Sequence, residues 1–246
     1  MKAMAVWGAY SRLILIELMR TPSYVIPSVL FPTMFFCIFA LPYAKTAAIA
    51  DTEMLSFVAF ALIGVTLFQF GVGVAMERGR PWERYLRTLP ANPLVRFAAR
   101  VNAAIAFGAV AGGLVAVVAR IFTPVDLTVT QWIVLIVYAA IGAIPFVLFG
   151  MAIGYWCNAR AALPVANIFY LLLSFGGGLW VPVRDLPSFA AAVSPFLPTR
   201  QYGDLLWSIV TPGNVAHAWL GLTLYALIFL LLASIGYRRD ERARYA

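Results

Sequence analysis

The sequence predicts an all-α, polytopic membrane protein: six transmembrane helices, an N-terminal interfacial helix and short outer half-helices before the last span. Three observations predict it. Of 246 residues, 63% are hydrophobic and 11% charged, and the mean hydropathy is +0.89, whereas a soluble domain carries about 45–50% apolar and about 25% charged residues. Six apolar runs reach the roughly 20 helical residues that about 30 Å of hydrocarbon requires. The Lys and Arg residues gather on alternate connecting segments.

Residues 1–22 come first. Trp7, Tyr10, Leu13, Ile14, Leu18 and Met19 stand beside Arg12, Glu17 and Arg20, an apolar body with charges on one flank that fits a helix lying in the inner interface. The other reading is a cytoplasmic extension of the first span. Thr21-Pro22 favours a break between the two, because proline disfavours helix in the residue before it. Spans follow near 23–42, 55–76, 101–119, 131–152, 162–181 and 216–236, none with Asp, Glu, Lys or Arg. Backbone polar groups find no water in lipid, so runs this apolar must be helical. The length and apolarity ahead of the first run argue for a retained anchor rather than a cleaved signal. Gly108 with Gly112, and Gly150 with Gly154, place small residues on one face where helices can approach closely.

With the N-terminus inside, fourteen basic residues lie on inner segments. They are Lys2, Arg12, Arg20, Arg78, Arg80, Arg84, Arg87, Arg96, Arg100, Arg160, Arg238, Arg239, Arg242 and Arg244. Four lie outside: Lys45, Arg120, Arg184 and Arg200. That bias predicts both termini in the cytoplasm. It also accounts for the net charge of +8 without nucleic acid. Segment 182–215 carries Pro182, Pro187, Pro195, Pro198 and Pro212; its apolar pieces are too short to cross, so outer half-helices are expected, with a plain loop as the alternative. Cys37 and Cys157 show neither disulfide nor metal-site spacing.

What is missing narrows function. Lys2 and Lys45 are the only lysines, and neither follows a glycine-rich phosphate loop, so the chain is expected to bind no nucleotide or other cofactor and to be no enzyme. Ion-coupled carriers place ionisable groups at membrane depth; here the single histidine, His217, falls at the outer edge of the last span. No nucleophile–base pair, carboxylate pair or metal cluster lies within the spans. Gln69 and Asn167 are the candidate substrate-path residues, with an interhelical hydrogen bond as the competing role. Power must therefore arrive from elsewhere. The sizeable inner loop is 77–100, where Trp82, Tyr85, Leu86 and Leu89 share a face if 81–89 is helical. It suits either a docked protein or anionic lipid.

At this loop the sequence resembles the membrane subunits of ABC exporters of the ABC-2 permease family. They share six spans, an inside N-terminus, an interfacial helix and an inner loop opening in Glu-Arg and closing in Leu-x-x-x-Pro. Here these are Glu77-Arg78 and Leu86-Arg-Thr-Leu-Pro90, with Glu83 between, while Pro81-Trp82 replaces the family's Gly-Thr pair. Gly176-Gly-Gly-Leu-Trp-Val-Pro-Val-Arg-Asp-Leu-Pro187 and Pro195-Phe-Leu-Pro-Thr-Arg-Gln-Tyr-Gly-Asp204 are similar to the family's later glycine- and proline-rich stretches. The resemblance implies one transmembrane domain over 1–246 in a bacterial plasma membrane, paired with itself or a sister permease and driven by a separate ABC ATPase that holds ATP and Mg. It implies that Glu77, Arg78, Trp82, Glu83, Leu86 and Pro90 couple to that ATPase. The alternatives are a carrier or channel acting alone, and a non-transport membrane scaffold.

Overall fold

The computed structural model describes residues 2–78, 93–211 and 213–245. Among them there is no β-strand, and the helices are joined by short turns. Helix α1 (Lys2–Met19) ends at a break over Arg20-Thr21, with Thr21 extended at φ −108° and ψ 93° ahead of Pro22. Helix α2 occupies residues 22–40 and alternates α and π turns, the latter at Ile26–Leu30 and Phe36–Ala40. Pro22, Pro27 and Pro32 bring no backbone N–H to this stretch; missing donors loosen the i→i−4 ladder, and single π turns are a usual repair.

Among the described residues five helices are long and apolar enough to cross a membrane: α3 (Ala47–Arg78), α4 (Pro93–Phe122), α5 (Val129–Trp156), α6 (Ala159–Gly176) and α9 (Ala216–Tyr245). The run expected to span 23–42 is helical, but its apolar portion, Ser28–Ala40, is shorter than these. Helix α3 is the hub. Its apolar window is 78% buried against 22–39% for the others, because α2, α4, α5, α6 and the short helix α8 (Pro198–Trp207) all pack on it. Glycine sets the closest of these contacts. A Cβ on Gly150 or Gly154 would fall 2.9 Å from the Thr66 carbonyl oxygen or 2.8 Å from that of Phe70, so α5 touches α3 backbone to backbone.

Helices run past the predicted limits at most ends. α4 starts at Pro93 and α9 continues to Tyr245, since a helix does not stop where its side chains leave lipid. The run expected to reach 181 ends instead at Gly176, followed by a turn in which Gly178 takes φ +77°. Only glycine holds that backbone without strain. Beyond it lie α7 (Ser188–Val193) and α8.

This end of the bundle is aromatic. Trp180 stacks on Phe35 (5.0 Å, 15°) and meets Phe60 edge-on at 5.3 Å, and Phe60 stacks on Tyr170 at 4.3 Å and 5°. The buried Tyr170 hydroxyl has no hydrogen-bond partner among the described residues and sits over Gly64, whose missing side chain admits it. Helix α8 is fastened by side chains reaching main chain or hydroxyl. Tyr202 Oη donates to the Ala139 carbonyl at 2.8 Å, and Trp207 Nε1 to Ser56 Oγ at 2.8 Å.

Candidate functional site

The opposite end, where α3 finishes and α4 begins, gathers buried polar and charged groups. It is built on a π turn. In Leu67–Val72 of α3 the ladder slips to i→i−5, and Gly73 N–H bonds to the Phe68 carbonyl. The Gln69 carbonyl instead takes Nη1 of Arg100 at 3.0 Å. Gly73 makes the approach possible, since a Cβ there would stand 3.0 Å from that nitrogen. The Gln69 side chain, 1% exposed, completes the exchange: Nε2 donates to the Arg100 carbonyl at 2.9 Å, and Oε1 accepts from Tyr24 Oη of α2 at 3.3 Å.

Two ion pairs then tie the end of α3 to its neighbours. The second arm of the Arg100 guanidinium pairs with Glu77, joining α3 to α4. Arg78 reaches the other way: Nη1 to Asp240 Oδ1 of α9 at 2.5 Å, and Nη2 to the Cys157 carbonyl at 2.9 Å, with its guanidinium 5.6 Å over the Tyr155 ring. Arg78 and Asp240 are 17% and 18% exposed, so neither charge is well hydrated without the other. Burial pushes the Cys157 thiol up, against the pull of Arg78. A thiol raised this way is a poor nucleophile. Beside the knot, a cavity of about 70 Å³ opens between α1, α2, α3 and α4, lined by Glu17, Leu18, Tyr24, Gln69, Glu77 and Arg100.

Of the sequence candidates, Glu77 pairs with Arg100 of α4 and Arg78 with Asp240 of α9. Trp82, Glu83, Leu86 and Pro90, with the loop helix expected over 81–89, lie outside the described residues. Gln69 has its polar atoms committed to Arg100 and Tyr24; Asn167 sits half-buried on α6. Arg100, Asp240 and Tyr24 were not singled out by sequence as site residues. The hint available was an arginine at the foot of one apolar run and an aspartate just past another. His217, at the far end, places Nδ1 2.9 Å from the Asn214 carbonyl oxygen and Nε2 3.3 Å from Asp204, which also pairs with Arg200. Among the described residues no group of His, Cys, Asp and Glu could hold a metal.

The family model described as "ABC-2 type transporter" matches residues 6–211, which includes both the π turn and the Glu77-Arg78 pair. The chain belongs to the ABC-2 type transporter family. An ABC-2 chain is a membrane transport subunit, and such permeases normally work with an ABC ATPase. A relative from Bacillus subtilis (strain 168), described as "Putative transport permease YvfS", is 24% identical over 191 residues, 76% of this chain and 77% of the relative. With its several long apolar helices, this ABC-2 chain is a multi-pass membrane protein.

Proposed function

We propose that this ABC-2 chain is the permease subunit of an ATP-driven exporter in a bacterial plasma membrane, moving an amphipathic or lipid-like substrate outward. The class includes drugs, antibiotics, lipids and glycan conjugates. In this reading α2 is a sixth span, α1 lies in the inner interface, both termini are cytoplasmic, and two permeases, identical or sister chains, assemble with two ATPase subunits that hold ATP and Mg.

The observation that carries it is the double tie at Glu77 and Arg78. These residues are the last of α3 ahead of residues 79–92, and Glu77 joins α3 to α4 through Arg100. A push on it by an ATPase is delivered to α3 at once, to α4 through Arg100 and to α9 through Asp240. Charge-assisted bonds are stiff and directional enough to transmit such a push. Few polar side chains lie along the helices, which suits a substrate that is itself largely apolar.

The test is reconstitution with the partner ATPase. Glu77→Ala together with Arg78→Ala should reduce substrate-stimulated ATP turnover to the level of the unstimulated complex. Unchanged stimulation would rule out coupling through this corner.

A further inference from the structure

A second basic cluster lies on the same end of the bundle but outside the coupling knot. In α9, Arg238, Arg239 and Arg242 are exposed, and at spacings of three and four they share one side of the helix. None of them makes an ion pair among the described residues. Asp240 faces the other way into Arg78, and Glu241 receives the Tyr237 hydroxyl at 3.5 Å. Three exposed guanidinium groups clustered at the foot of a membrane helix attract anionic lipid headgroups.

The corner is also shaped. Trp156, at the end of α5, is 49% exposed, yet its indole N–H is used up on the Leu232 carbonyl at 2.9 Å. Gly236 lets the ring lie flat on α9, since a Cβ there would come 2.8 Å from Nε1. The Arg239 guanidinium rests over that ring, 5.6 Å from its centre. Stacking holds the cation in place while its outer N–H donors stay open. Above the arginines, Leu224, Ile228, Leu231 and Ile235 are exposed along the same side of α9. An apolar stripe meeting an aromatic ring and then unpaired arginines is the profile of a phospholipid read from acyl chain to phosphate.

We propose that Arg238, Arg239 and Arg242, with Trp156 as platform, form a binding site for the headgroup of an anionic phospholipid, its acyl chains lying on the α9 stripe. An acidic protein surface would satisfy the charges, but the apolar stripe that leads into them brings acyl chains, and so their headgroups, beside the cluster. The site depends on membrane embedding and not on transport, so it stands if the exporter reading fails.

The experiment is native mass spectrometry of the purified full-length chain with phosphatidylglycerol or phosphatidylcholine added to the micelles. The chain should retain the anionic lipid preferentially. Replacing all three arginines by Gln should remove that preference, with each arginine worth about fivefold in lipid affinity. Arg→Lys at the three positions should keep most of it, which a merely misfolded variant would not. Inorganic phosphate should fail to displace the lipid. Equal retention of both lipids by the unaltered chain, an unchanged preference in the Gln variant, or displacement by phosphate alone would each overturn the site. So would a Gln variant that keeps its lipid and loses only its ATPase partner.

Discussion

The two ends of the bundle are held by different physics. At the aromatic end, Phe35, Phe60, Tyr170 and Trp180 interlock ring on ring, and α8 is fastened by single hydrogen bonds from Tyr202 and Trp207. Such contacts are short-ranged and fall away with small displacements. At the other end, α3 is joined to α4 and α9 by guanidinium–carboxylate pairs and by a carbonyl that the π turn sets free. Charged pairs act over longer distances and can exchange partners with water or each other. In the exporter proposed above, the difference would let one end hold shape and the other receive and pass on a displacement.

Substitutions at each end can break or sharpen this contrast. The largest effect belongs to Phe60→Ala, which should cost about 3–5 kcal/mol by opening the centre of the aromatic stack, measured as a fall in the thermal midpoint of the purified chain. Arg78→Ala should cost about 3 kcal/mol, the low end for a buried pair, because Asp240 keeps some water. The charge-swapped double variant, Arg78→Asp with Asp240→Arg, should recover part of the loss, and no recovery would mean the pair is not what joins α3 to α9. Tyr202→Phe removes one hydrogen bond and should cost about 1 kcal/mol. Tyr170→Phe should be neutral or slightly stabilising, because the hydroxyl it deletes has no partner among the described residues. A loss approaching that of Phe60→Ala would show that the hydroxyl matters in a way ring packing does not supply.

The long helices were legible because lipid imposes a length and a composition that survive without any knowledge of neighbours. Their ends were not. Pro93 and Tyr245 lie well outside the apolar runs, and Gly178 stops α6 for a backbone reason that hydropathy does not register. Of the site, Glu77-Arg78 stood out as a motif, but their partners are 23 and 162 residues away and become neighbours only through packing. Gln69 was visible as a polar residue in an apolar run. Its commitment to Arg100 depends on the π turn, which nothing in its sequence surroundings announces. The prolines of α2 did mark that helix as irregular, without saying that the irregularity would be π turns.

That turn in α3 amounts to a spare residue. In a regular helix, removing one residue swings everything beyond it by about 100°, which would carry Glu77 and Arg78 off their partners. Within Leu67–Val72 the helix already contains the surplus. A one-residue deletion there would let the ladder revert to ordinary spacing and leave the lower helix facing as before, at the cost of the carbonyl that Arg100 holds. Along the whole of α3, this is the place where chain length can drift by one without disturbing the aim of its end.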